Sequence, residues 1–124
     1  MDLSNHDPSR PTIRHGEVYF IPIKSAPDGK PMAAEDGRYI VGHSETGHHH
    51  TIAATDAVMI MEPPSGQKIP DGMRILNAIV REPGVKVEHD RQAHRHADTP
   101  LQIGAYEIRT QRGMTPQGWQ RAID

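Results

Sequence analysis

The sequence predicts a small all-β protein, built as an antiparallel barrel or sandwich. Its 124 residues suffice for one domain. Eleven glycines and eleven prolines imply frequent turns, which suit short strands better than long helices. No stretch repeats apolar residues at the three-to-four spacing of an amphipathic helix, whereas several short stretches alternate or are rich in β-branched residues. Together these observations favour a succession of short strands.

The chain divides into an N-terminal arm and a single β domain. Residues 1–12 are polar and contain two prolines, so we expect a flexible arm. The β domain covers 13–124. Its first predicted strand, Gly16–Lys24, is β-branched and aromatic, and Pro22 marks an edge position or a bulge within it. A loop rich in Pro, Gly and Asp follows over Ser25–Gly37.

Beyond that loop, the predicted strands succeed one another at short intervals. Gly104 predicts a kink that leads into an alternating segment, Tyr106–Thr110. The tail Thr115–Asp124 fits either a last strand or one helical turn. The predicted strands in this part are Arg38–Gly42, His48–Ala54, Ala57–Glu62, Met73–Val80, Val85–His89 and Leu101–Gln111.

Composition excludes several classes of function. The net charge of -2 leaves no basic excess for general binding to nucleic acid or to an anionic membrane, so neither is predicted as a partner. The absence of cysteine excludes disulfides, thiolate-bound zinc and a cysteine nucleophile. The longest apolar run, Ala57–Met61, is far too short to span a membrane, and no signal-peptide pattern precedes the domain. We therefore expect a protein that is neither secreted nor embedded in a membrane.

Histidine is the residue type whose distribution points to a site. Seven of the nine histidines fall in two windows, His43–His50 and His89–His96. Each window holds a His-x-His pair, and the period of two in a strand places both members on one face, with Cα atoms roughly 6.6 Å apart. The two pairs are His48 with His50 and His94 with His96.

This spacing predicts a metal site. Neutral imidazole is a common ligand for Zn, Fe, Mn and Ni, and three or four imidazoles form a site without cysteine. The predicted ligands of this divalent metal are His48, His50, His94 and His96. Neighbouring groups are assigned as further candidates: His43, His89 and Asp98 as alternative or second-sphere ligands, and Glu45 as a catalytic base.

Two other interpretations of the histidines stay open. They can be exposed polar residues on a solvent face, or they can form a metal-free site in which one imidazole is the base and another the acid. The more specific catalytic motifs that contain histidine are incomplete or absent in this sequence. His43-Ser44-Glu45 lacks the downstream Cys-x-x-Cys of zinc deaminases, and the His-Glu-x-x-His pattern of metalloproteases is absent.

Part of the first window resembles the first cupin motif. Gly42 is followed after five residues by His48 and, two residues later, by His50. The glutamate that this motif requires next is missing, because Ala54 and Thr55 stand at its position. The resemblance covers about ten residues and implies that a cupin-like barrel holding a metal is one form that the β domain can take.

Longer segments resemble a family of small proteins encoded by bacteriophages and prophages. Thr46 to His50 (TGHHH) is similar to the Thr-Gly-His-x-His segment of that family. That family also has a Pro-Ile/Leu-x-x-Gly-x-Tyr hairpin followed by a strand with Gln-Arg. The similar residues in this sequence are Pro100, Leu101, Gly104, Tyr106, Gln111 and Arg112. The resemblance implies a phage-type protein in the host cytoplasm or the virion, with a homo-oligomer or other phage proteins as partners.

Two functions from different classes follow. The first is a β-barrel protein with a metal-binding histidine site, which acts as a metal-dependent hydrolase if it is an enzyme. The alternative is a non-catalytic virion structural or accessory protein, for decoration or assembly, with its histidines at a subunit interface. Convergence of the two histidine windows in one place would favour the first, and their spread over a flat contact surface the second.

Overall fold

The fold is all-β. The structure, a computed structural model, describes residues 4–42, 49–89, 98–115 and 118–121, with side chains up to residue 110. Within these ranges no segment is a helix long and apolar enough to cross a membrane. The strands are β1 (Ile13–His15), β2 (Val18–Ile23), β3 (Arg38–Gly42), β4 (His50–Ala53), β5 (Val58–Met61), β6 (Met73–Val80), β7 (Lys86–His89), β8 (Thr99–Pro100), β9 (Gly104–Thr115) and β10 (Gly118–Arg121).

The strands form two antiparallel sheets. The first sheet has the order β1-β2-β9-β6-β5, and β10 pairs with the last residues of β9. The second sheet has the order β3-β4-β7-β8. Long β9 is the centre of the first sheet, since it pairs with β2 on one side and with β6 on the other. The predicted all-β antiparallel fold is confirmed, in its sandwich form.

The apolar core lies between the two sheets. Every second residue of β6 from Leu76 to Val80 points into it, and the same alternation places Phe20, Tyr106 and Ile108 there from β2 and β9. The second sheet contributes its own inward residues, which are Val41, Ile52 and Val87. Phe20 and Tyr106 meet edge to face, with ring centroids 6.4 Å apart.

Polar side chains of the first sheet bind the edge of the second. The Thr110 hydroxyl donates to the carbonyl of Val41 over 3.0 Å, and the Arg74 guanidinium donates to that of Ile40 over 3.3 Å. Burial lowers the pKa of Arg74. These bonds join β9 and β6 to β3, and they bring the end of β3 at Gly42 close to the start of β2.

The N-terminal residues follow the first sheet at its other end. The Asp7 N–H donates to the carbonyl of Pro22 over 3.0 Å, and the Lys24 N–H donates to that of Asn5 over 2.7 Å. Hydrogen bonds from the Ser9 side chain, the Ser9 backbone and Arg10 lower the pKa of Asp7 to about 2. The flexibility predicted for the arm stays a prediction.

Arg10 fixes this segment to the sheet. Its Nη2 donates to the carbonyls of Ile23, over 2.9 Å, and Ala105, over 2.7 Å. Its guanidinium also lies 4.9 Å from the centroid of the Tyr106 ring. Gly104 leaves the space that the guanidinium occupies, because a Cβ there would lie 2.6 Å from Arg10 Nη1.

Candidate metal centre

Three histidines from three strands meet at one end of the sandwich. His50 on β4 and His89 on β7 are direct partners in the register of the second sheet. His15, the last residue of β1, approaches them from the first sheet. Directly opposed residues of an antiparallel pair have their side chains on the same face. The register therefore places the side chains of His50 and His89 next to each other, and the packing of the two sheets places His15 against both.

The β1–β2 hairpin aims His15 inward. Its strands are joined through Gly16, whose φ of 62° is the left-handed conformation that glycine adopts freely in tight turns. His15 pairs with Val18, a fully buried core residue, so the His15 side chain lies on the core face of the hairpin. Glu17, between them, is 2% exposed. The hairpin thus places two chemically active side chains at the end of the core.

Gly42 makes room for His50. Gly42 and His50 are register partners, next to an irregularity in the pairing of β3 with β4. A Cβ on residue 42 would lie 3.1 Å from Cδ2 of His50 and 2.5 Å from Cγ2 of Val18. A side chain at position 42 would therefore collide with the core and press on the imidazole.

The cluster is buried. The exposed fractions of His15, His50 and His89 are 2%, 0% and 5%. They make up three of the six buried polar or charged residues within the described part of the chain. Burial of a polar side chain is costly unless its donors and acceptors find partners. The three buried imidazoles therefore need partners, and two of their contacts are between the rings themselves.

The imidazoles contact each other through specific nitrogens. The Nδ1 atoms of His15 and His50 are 2.7 Å apart, and the Nε2 atoms of His50 and His89 are 3.4 Å apart. With one nitrogen taken from each ring, the three candidate ligand atoms all lie within 4.8 Å of one another. The arrangement can hold a metal ion, because the atoms need to move by little to reach one centre.

The structure describes some of the site residues that the sequence predicts. His50, predicted as a ligand, and His89, predicted as an alternative ligand, both belong to the cluster. Asp98 is not one of the clustered residues, and its carboxylate is 3.5 Å from Nζ of Lys86. The other predicted residues lie outside the described ranges: His43, Glu45, His48, His94 and His96.

His15 is the member of the cluster that the sequence analysis missed. It lies outside both histidine windows, 35 residues before His50. One sequence signal was available. His15-Gly16-Glu17-Val18 has the form of a tight hairpin turn, in which the residue before the turn shares a face with the buried residue after it.

Comparison with known proteins identifies one family. Residues 14–111 match the Domain of unknown function (DUF8820). This range includes all three clustered histidines and most of the β domain. No curated protein and no solved structure matches the chain. The family match carries no information on a bacteriophage origin or on the Thr-Gly-His-x-His motif, and both stay predictions.

Proposed function

This chain belongs to the DUF8820 family, and we propose that it binds one divalent transition metal ion at the cluster of His15, His50 and His89. The observation that carries the proposal is the convergence of three buried imidazoles from both sheets, with candidate ligand atoms within 4.8 Å of one another. Histidines that merely fill a solvent face would be exposed and would project outward. These three project into the interior.

Imidazole chemistry supports a cation in this position. A neutral imidazole has one N–H and one nitrogen lone pair, and it accepts a transition metal at that lone pair without a change of charge. The metals suited to such donors are Zn, Fe, Mn and Ni, among which the cluster itself makes no selection. Burial excludes competing water from the ligands, which strengthens their interaction with an ion.

The burial favours a structural ion over a hydrolytic one. Hydrolysis by metal-bound water requires that a substrate reach the ion. Side chains exposed by 5% or less offer no such approach among the described residues. An ion in the cluster would instead fix His50 and His89 of the second sheet and, through the Nδ1 contact of His50 with His15, stabilise the junction with the first sheet. We propose that its role is to stabilise this end of the sandwich.

Metal content tests the proposal. We expect the protein, purified without a nickel column and incubated with Zn²⁺, to retain about one equivalent of metal after desalting. The variant H50L/H89L should retain less than about 0.2 equivalents, because it lacks two of the clustered imidazoles. H6A is the matched control. It also loses a histidine, but at His6, which pairs with Ile23 at the far end of β2.

Two outcomes would overturn the proposal. One is a wild-type protein that retains no metal although circular dichroism shows it folded. The other is equal retention by the wild type and by folded H50L/H89L. The predicted ligands His48, His94 and His96 stay predictions, and the variant H48A/H94A/H96A tests them separately. Full retention by that variant would assign the ion to the cluster alone.

The interface hypothesis concerns the other histidines. His50 and His89 are buried within a single chain, so a contact between subunits would have to be formed by residues outside the cluster. Oligomers and other phage proteins as partners stay predictions. Sedimentation analysis tests the homo-oligomer, and its repetition with Zn²⁺ tests the position of the ion, because an ion held within one chain leaves the oligomeric state unchanged.

A further inference from the structure

The two nitrogens of His50 face different neighbours. Nδ1 faces Nδ1 of His15, and Nε2 faces Nε2 of His89. One imidazole gives only one nitrogen to a given ion, so His50 cannot use both contacts for the same metal. If the cluster binds metal as proposed above, one contact is a pair of ligands and the other has a different role.

The two distances distinguish these roles. Two imidazole nitrogens bound to one tetrahedral ion, each about 2.0–2.1 Å from it, are about 3.3 Å apart. The Nε2 atoms of His50 and His89 already have nearly this separation, at 3.4 Å. The Nδ1 atoms of His15 and His50 are closer, at 2.7 Å, which is the length of a hydrogen bond and too short for two such ligands.

We propose that His50 and His89 bind the ion through their Nε2 atoms, and that His15 orients His50 from behind. In this arrangement Nδ1–H of His50 donates a hydrogen bond to Nδ1 of His15. That bond places the proton of His50 on Nδ1 and leaves the lone pair of Nε2 for the metal. His15 is then a positioning residue, and two imidazoles leave further coordination positions for other donors.

Such a partner is a general feature of histidine ligands. A metal-bound imidazole commonly donates its second N–H to an acceptor, which fixes the tautomer and the ring orientation, and loss of that acceptor weakens metal binding about 10- to 100-fold. Carboxylates and backbone carbonyls are the usual acceptors. Here the acceptor is a third imidazole, brought in by the β1–β2 hairpin of the opposite sheet.

Substitution of His15 by asparagine and by leucine separates a ligand from a positioning residue. Asparagine Oδ1, like histidine Nδ1, is bonded to Cγ, so H15N retains an acceptor at nearly the same place. H15L fills similar space without an acceptor. We expect H15N to bind Zn²⁺ within about threefold of the wild type, and H15L to bind about 10- to 100-fold more weakly. H89L, which removes a direct ligand, should bind more weakly still.

Cobalt provides a second measurement. If His15 does not touch the ion, the Co²⁺ complex of H15N should keep the visible absorption bands of the wild-type complex, because the ligand set is the same. Shifted bands, together with an affinity of H15N as low as that of H89L, would make His15 a direct ligand and overturn this assignment alone. Absence of Zn²⁺ binding by the wild type would overturn the proposed function, and the assignment with it.

Discussion

The side chain that Gly42 lacks determines where the His50 ring can lie. A methyl group at position 42 would come within 3.1 Å of Cδ2 of His50 and 2.5 Å of Cγ2 of Val18. Both neighbours are fully buried, so neither can move aside into solvent. Overpacking a core in this way typically costs about 1–3 kcal/mol. Gly42 therefore serves both the packing of the core and the placing of the imidazole.

We predict that G42A loses stability and metal affinity together. The free energy of unfolding should fall by about 1–3 kcal/mol because of the overpacking. The affinity for Zn²⁺ should fall at least about tenfold, because a displaced His50 no longer meets His89 at ligand spacing. Urea denaturation measures the first effect, and competition with a chelating dye measures the second.

The double variant V18A/G42A separates these two effects. Removal of the Val18 methyl groups relieves the closer collision and leaves the contact with His50. Compared with V18A alone, the double variant should show little further loss of stability but should still bind Zn²⁺ weakly. If it binds as tightly as V18A, Gly42 acts through packing alone and has no influence on the imidazole.

Residue patterns in the sequence locate part of the site. The His-x-His spacing draws attention to His50, and the second window includes His89, because alternation along a strand is visible in sequence. His15 meets them only through packing of two sheets. His50 lies 35 residues after His15, and His89 lies 39 residues after His50. No local sequence pattern encodes contacts across such separations. Residue spacing indicates which side chains share a face of one strand, but it does not indicate which strands pack together.

Strands are predictable where they are long enough to show an apolar or alternating pattern, whereas β10, with four residues, lies in the tail that the sequence left open between a strand and a helical turn. Tyr106–Thr110 alternates, and it lies within β9. β1 has three residues and β8 has two, which is too few for any periodicity. Both exist because a longer neighbour offers a register, β2 for β1 and β7 for β8. The short strands are consequences of the fold, and one of them carries His15.

Arg10 illustrates how a polar segment attaches to a sheet. Two carbonyls, the Asp7 carboxylate and the Tyr106 ring all contact its guanidinium. We predict that R10A frees the segment. The Asp7 and Lys24 amides, which are hydrogen-bonded to Pro22 and Asn5, should exchange with solvent at least about tenfold faster by nuclear magnetic resonance.

Two controls accompany the R10A variant. The Met32 amide, bonded to the carbonyl of Ile60, reports on a different edge of the sheet and should keep its protection. R81A removes an arginine that is exposed and should leave all of these amides unchanged. Unaltered exchange of Asp7 and Lys24 in R10A would show that the backbone bonds alone hold the segment.

At the scale of the whole molecule, the sandwich is joined unequally at its two ends. Arg10 and the N-terminal segment bind within the first sheet, at the end of Ile23. The histidine end has contacts between the sheets, through Thr110, through Arg74 and through the cluster itself. Within the described part of the chain, the contacts that join the sheets there thus combine two hydrogen bonds to β3 with the contact of His15 and His50. An ion bound by His50 and His89 would hold His50 in its contact with His15 of the first sheet and so strengthen this junction.

Removal of the metal should therefore lower the stability of the whole folded domain. A ligand that binds only the folded state at 100 times its dissociation constant stabilises it by about 2.7 kcal/mol. For a domain of this size that corresponds to a change in Tm of about 10 °C, so EDTA should lower the Tm of the Zn²⁺-loaded protein by about this amount. H50L/H89L should have the same Tm with and without EDTA, and H6A should behave like the wild type. An equal response of all three proteins to EDTA would mean that the chelated ion binds away from the cluster, and the two sheets would then be held together by their apolar core and the bonds of Thr110 and Arg74.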